Sequence, residues 1–220
     1  MTEPTAFERA IEWLGHRVVA GELAAGETLS VEDLVEATGT SRSVAREATR
    51  VLAALGIIQP RQRVGLTVLP QNRWAMLEPR VVRWRLEVGD RAAQLRELAE
   101  LRLAIEPAAA RLAAERISET DARQLVALGA SLRLAATTDA LLRADQDFHR
   151  LLIAASNNAL FARVTSVIEE ALRHHTLQGP GGTPVPEDLE LHAALAASVA
   201  AGQRADAERL AREIVRRTAA

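Results

Sequence analysis

TGTSRSVAREATRVLAALGII, Thr38–Ile58, is the stretch on which the reading of this chain turns. Ser41 is placed to cap a helix from Arg42 to Leu55, because its hydroxyl can accept one of the orphan N–H groups of the first turn. Val44, Ala48, Val51, Leu52 and Leu55 then share an apolar face, while Arg42, Arg46 and Arg50 recur every four residues on another. One face packs and the other is cationic. Gly56 ends the helix, and GIIQPRQRVGLTVLP reads as two short strands, Ile57–Gln59 and Leu66–Leu69, joined by a turn carrying Arg61, Arg63 and Gly65. Upstream, Phe7, Ile11, Leu14 and Val18 fall at helical spacing between Pro4 and Ala20, with Thr5 as cap and Gly21 as stop. A short helix from Val31 to Ala37 is capped by Ser30, with Asp33 three residues on as a variant capping box, and Gly39 breaks it. Three helices and a basic hairpin predict a winged helix-turn-helix over residues 1–70.

The charge has a location. The 220-residue chain is close to neutral, at −2, which argues against a protein that coats nucleic acid nonspecifically. Between Ala37 and Pro70, however, five Arg stand against one Glu. All 27 basic residues are Arg, which suits bidentate contact to phosphate or guanine and is equally a mark of genome composition. Ser41, Arg42, Ser43, Arg46 and Arg50 could meet a major groove, with Arg61, Arg63 and Gly65 of the wing beside a minor groove or flanking phosphates. Three spaced Arg alone would be an ordinary solvated basic face; the adjacent basic wing reverses that preference.

After Pro70 the strand signal stops and helical periodicity resumes. Helices are expected at roughly 72–88, 91–117, 119–135, 138–156, 158–177, 187–201 and 203–217. The fold class is therefore mainly α, a winged helix-turn-helix followed by a six- to seven-helix bundle over residues 71–220. Pro107 should kink the second of these helices, and GPGGTPVP, Gly179–Pro186, is the clearest loop. Aromatics are only 3% of the chain, so Trp74 and Trp84 are read as packing the helix after the linker. Cysteine is absent, which excludes disulfides and thiolate chemistry. No stretch reaches about 18 consecutive apolar residues, and the opening MTEPTAFERAIEW is unlike a secretory signal, so the expectation is a cytoplasmic protein with no membrane partner.

The pattern GxSRxxxREAxxxLxxxGxI beginning at Gly39 resembles the GntR family of bacterial regulators. The second half is similar to its FadR-type branch, which carries an FCD helical domain. That likeness rests on ELRLAIEPAAARLAAERI (Glu100–Ile117), DQDFHRLLIAASNNAL (Asp145–Leu160) and LHAALAASVAAG (Leu191–Gly202). The resemblance implies a homodimeric transcriptional regulator, a repressor, on double-stranded operator DNA. It also implies control by a small carboxylate metabolite bound in the bundle. NRWAMLEPRVVRWRLEV is similar to a segment of relatives that respond to sugar acids such as galactonate or gluconate.

Asp145 and His149 lie four apart, hence on one helical face, and can offer a carboxylate oxygen and an imidazole nitrogen to one divalent cation. His192, on a later helix, could close the site. On spacing alone, Asp145 merely paired with His149 and a surface His192 are the preferred explanation, since i,i+4 pairs are common. The resemblance implies these three as ligands of zinc, nickel or manganese. The family's usual further His is missing, with Ile214 in its place, leaving three protein ligands plus water or effector, or substitution by His174 or His175. Another departure is Glu32, where some relatives carry Arg to contact a phosphate. Arg102, if inward, offers a bidentate partner to an effector carboxylate; otherwise it is a surface Arg beside Glu106. Asn157 is read as the cap of the next helix and carried with Arg102 as a candidate effector contact.

Two readings of other classes stand beside the regulator. A metal-dependent hydrolase or isomerase would begin from such a cation site, yet no nucleophile motif, phosphate loop or acid–base carboxylate pair accompanies it, so no enzyme is expected. A ligand-free helical scaffold is the other.

Overall fold

The computed structural model describes residues 4–175 and 185–218. They form two compact units, Met1–Gln94 and Leu95–Ala220.

In the first unit, α1 (Ala6–Val19), α2 (Val31–Thr38) and α3 (Arg42–Ala54) surround a small antiparallel sheet of β1 (Thr28–Leu29), β2 (Ile58–Arg61) and β3 (Gly65–Val68) in the order β1-β3-β2. The caps are those the side chains can make. Thr5 and Ser41 accept the N–H groups of Glu8 and Val44, and Ser30 and Asp33 complete a reciprocal capping box. Ile11, Leu14, Leu34, Ala45, Ala48, Leu52 and Ile57 are fully buried together. Sequence spacing put Val44 and Val51 on the packed face of α3. Both are only half-buried, because Ala45 and Thr49 turn inward, where their small side chains let α3 approach its neighbours. β1 escaped the sequence reading, since two residues are too few to show alternation.

Residues 72–88 were expected as one helix. Instead a short 3-10 turn, Gln71–Arg73, is separated from α4, Pro79–Glu87. Pro79 takes the first helical position, where its missing N–H costs nothing, and forces Glu78 before it to be extended. The strand signal ends near Pro70, but the first unit runs on to Gln94, and Val81 and Trp84 of α4 belong to its core. The Trp84 indole donates to the Glu12 carboxylate, and its ring lies over Gly15 of α1, where a Cβ would sit 2.4 Å from the ring atoms. A glycine in a helix interior costs about 1 kcal/mol relative to alanine; here it is the condition for the α1–α4 contact.

The second unit is helical: α5 (Arg91–Arg116, whose first turn counts with the first unit), α6 (Glu119–Leu134), α7 (Thr138–Ala155), α8 (Ala159–Ala162), α9 (Thr165–His175), α10 (Pro186–Ala200) and α11 (Arg204–Thr218). Ala110 and Ala113 of α5, Leu125 of α6, Phe148 and Leu152 of α7, Leu195 of α10 and Ile214 of α11 meet in one apolar cluster. The α-helical run of α5 continues through Pro107. The single helix expected at 158–177 is two. The break falls at Arg163 and Val164, and Val164 and Ile168 pack with Ala109 and Ile153. The Gly179–Pro186 loop falls, up to residue 184, outside the described residues.

Candidate functional site

The cationic face of α3 is exposed at Ser41, Arg42, Ser43, Arg46 and Arg50, while Ala45, Ala48 and Leu52 anchor the opposite side. Two of the three Arg are held locally. Arg42 pairs with Glu32 at 3.4 Å and Arg50 with Glu47 at 2.5 Å, both pairs solvent-exposed and therefore cheap to exchange for a phosphate. Arg46 has no ion pair among the described residues. Glu32, read from the sequence as a lost phosphate contact, thus also holds the first Arg of the helix. In the wing, Arg61 pairs with Gly65 across the hairpin, and Gln62, Arg63 and Val64 form an exposed tip. Gly65 has φ 105°, and a Cβ there would be 2.6 Å from the Leu29 carbonyl oxygen, so its first duty is to let β3 pass β1.

The other constellation lies in the second unit. Asp145 and His149 of α7 and His192 of α10 turn toward one point. Asp145 Oδ1 is 3.5 Å from His149 Nε2 and 3.2 Å from His192 Nε2, and the two Nε2 atoms are 3.3 Å apart. Ligands about 2.1 Å from a cation stand roughly 3.0–3.4 Å from each other in octahedral or tetrahedral sites. The triangle fits a divalent metal.

Outer partners orient both rings. His192 Nδ1 donates to the Asp188 carbonyl at 2.6 Å. His149 Nδ1 lies 2.6 Å from Glu106 Oε2, a close ion-pair contact. Glu106 and Asp145, on either side of its ring, favour His149 as a cation in the metal-free site. Burial opposes that charge, yet Glu106 and Asp145 raise its pKa to about 9. Burial likewise opposes the two carboxylates. Arg102 and His149 nevertheless hold Glu106 down at about 2, and the hydrogen bonds from His149 and His192 hold Asp145 well below the usual carboxylate range. Phe148 meets both imidazoles edge-on, with ring centroids 5.6 and 5.2 Å away.

Arg102 points inward, 1% exposed. Its Nε donates to Glu106 Oε1 at 2.5 Å and its Nη1 to Thr218 Oγ1 at 3.3 Å. Nη2 is buried and has no hydrogen-bond partner among the described residues. Glu106, four residues on from Arg102, stands between that Arg and the His149 ring. The signal was present in the four-residue spacing of Arg102 and Glu106.

One expectation is corrected. The cap of α8 is Asn158, which accepts the N–H groups of Leu160 and Phe161. Asn157 precedes it, exposed and in the left-handed region at φ 51°. Ile214 is buried in the apolar cluster. His174 is half-buried on α9 and is not one of the three converging residues, and the His175 side chain lies outside the described residues.

Comparison with known proteins follows the same division. The family described as bacterial regulatory proteins, gntR family, matches residues 7–68, and the FCD domain matches residues 97–217. The galactonate operon transcriptional repressor of Escherichia coli (strain K12) is 30% identical over 193 residues, covering 86% of this chain and 84% of that protein. The HTH-type transcriptional regulator LutR of Bacillus subtilis (strain 168) is 31% identical over 196 residues, covering 86% and 88%. Among solved structures, that of Listeria monocytogenes Lar superposes with a TM-score of 0.64 at 19% identity, covering 100% of this chain and 97% of the other. Escherichia coli McbR/YncC does so at 0.55 and 20%, covering 97% and 95%; at these identities the likeness is one of fold. Among the described residues no helix is long and apolar enough to cross a membrane. The two profiles, the relatives and the winged helix agree: this chain belongs to the gntR family of bacterial regulatory proteins, a DNA-binding transcriptional regulator, not an enzyme, whose second unit is an FCD domain.

Proposed function

We propose that this regulator is a homodimeric repressor whose grip on a pseudo-palindromic operator is controlled by a small hydroxy-carboxylic acid, a sugar acid such as galactonate or gluconate. The observation that carries the proposal is the buried Arg102, with Nη2 unpartnered among the described residues, joined through Glu106 to the convergent Asp145, His149 and His192. An unpaired guanidinium nitrogen in a protein interior is costly unless a ligand satisfies it, and a carboxylate is its matching acceptor. Asp145, His149 and His192 would hold zinc, nickel or manganese. A bound metal supplies open coordination positions, since the three protein ligands leave at least one for an effector oxygen. The similar galactonate operon repressor supports the sugar-acid class. Asn157, exposed at the end of α7, is left out of the effector site.

On DNA, the exposed Arg42, Arg46 and Arg50 with Ser41 and Ser43 enter the major groove, and Arg61 and Arg63 of the wing reach the adjacent minor groove or phosphates. The cytoplasm is the compartment this function requires. Effector control needs a difference in affinity for the acid between the DNA-bound and free states.

The test is a binding titration against the intergenic DNA beside its own gene, repeated with D-galactonate, D-gluconate and each of the three metals. Salt-sensitive nanomolar binding that one acid releases is the expected result. Specific binding indifferent to every acid and metal would overturn the effector reading.

A further inference from the structure

We propose that Glu106 is a positioning residue that couples the two halves of this site, so that an anion at Arg102 and a divalent cation at Asp145, His149 and His192 each raise the affinity for the other. The inference rests on the reading above, that this unit takes both a metal and a carboxylate. Its basis is the division of one buried carboxylate. Oε1 accepts from Arg102 Nε at 2.5 Å, and Oε2 faces His149 Nδ1 at 2.6 Å. Both Arg102 and Glu106 are 1% exposed, so solvent does not screen the exchange of charge between them.

A run of close charged contacts links Arg102 Nη2, unpartnered among the described residues, through the guanidinium and the Glu106 carboxylate, 2.6 Å from His149 Nδ1, to His149 Nε2 in the triad. An anion on Nη2 draws guanidinium charge to itself and leaves Glu106 less neutralised. Glu106, 2.6 Å from Nδ1, then acts more strongly on the His149 ring, and Nε2 on its far side becomes a better donor to a cation. A cation on Nε2 acts along the same chain in reverse. Linkage requires the factor to be equal in both directions. Charge balance has the same sign. With both imidazoles neutral, Arg102, Glu106 and Asp145 leave one net negative charge; a divalent cation turns that into one net positive, which a single carboxylate cancels in a buried site.

The experiment titrates Zn2+ into the full-length chain, alone and with saturating D-galactonate or acetate, for the wild type and Glu106→Gln. In the wild type the acid should tighten Zn2+ on the order of tenfold, and Zn2+ should tighten the acid by the same factor. In Glu106→Gln both still bind, and the factor should fall well below the wild-type value, to what direct contact of acid and metal leaves. Coupling undiminished in the variant, or absent from a wild type that binds both, overturns the inference and leaves the site reading standing. A wild type that binds no Zn2+, or neither acid, removes the reading and the inference with it.

Glu106→Gln strips Arg102 of its buried counter-charge, so far-UV circular dichroism must show it folded. A second measurement needs no variant. In the zinc-loaded wild type the His149 Nδ1 nitrogen resonance should move as the acid is added; a fixed resonance while the acid raises the melting temperature would overturn the relay.

Discussion

The Nε2 atoms of His149 and His192 face one another across 3.3 Å, and both stand within 3.5 Å of the same Asp145 oxygen. Without a metal this arrangement favours an extra proton on His149. With one, it needs none. The site is thus an exchange point between a proton and a divalent cation, and two of the predictions follow from that.

Removing one corner should remove the metal. Loss of an outer-shell partner alone costs about 10–100-fold in metal affinity, so His192→Ala should weaken Zn2+ by more than about 100-fold. At a hundred times its dissociation constant, a metal stabilises the wild type by about 2.7 kcal/mol, a rise of several degrees in melting temperature. The same melting experiment on His192→Ala should show no rise.

Metal and pH should work against each other. The folded pKa of His149 is raised, to about 9, from an ordinary 6.5. Its protonation therefore stabilises the metal-free fold fully below pH 6.5, and that contribution is lost as pH rises through about 9. Metal binding displaces the same proton, so Zn2+ affinity should rise about tenfold per pH unit up to about pH 9 and then level off. Melting curves at pH 6.5 and 9, with and without Zn2+, check both halves. A metal affinity that does not change across this window would sink the exchange.

Arg46 is exposed and without an ion pair among the described residues, so it can be removed without disturbing the fold. A bidentate base contact is worth about 1–3 kcal/mol. Arg46→Ala should accordingly lose specific operator binding by roughly 10–100-fold with its melting temperature unchanged. Arg63→Ala, at the wing tip, should instead lower the slope of log affinity against log salt by about one. Equal loss on specific and random DNA for Arg46→Ala would show that it reads phosphate only.

Gly15 sets two rules against each other. Helix propensity says that alanine should stabilise α1 by up to about 1 kcal/mol. Packing says that its Cβ would meet the Trp84 ring at 2.4 Å, an overpacking worth about 1–3 kcal/mol of destabilisation. The first unit of Gly15→Ala should melt lower than the wild type, and Trp84→Leu in the same chain should recover part of the loss. A higher melting temperature for Gly15→Ala would mean that α4 is not held against α1 as described.

Much of the first unit could be read from residues alone, because its signals are local. Ser41, Ser30 and Thr5 cap helices whose N–H groups are three residues away, and Arg42, Arg46 and Arg50 share a face by helical period. Local signals failed where the chain is short or tertiary contact decides. β1 exists only because β3 pairs with it, and Ala45 displaced Val44 from the packed face because α3 lies close to its neighbours.

In the second unit the sequence by itself determined a helical bundle, the face shared by Asp145 and His149, and His192 as a candidate to join them. Only the tertiary structure decided that His192 does join them from α10, that Arg102 faces inward, and that Glu106 binds both the Arg and the His149 ring. The physical reason is one of range. Periodicity and capping act over about four residues, whereas His149 and His192 are 43 residues apart and Arg102 and Thr218 are 116 apart. Which buried polar groups satisfy one another depends on how the helices pack, and that is settled only when the whole unit closes.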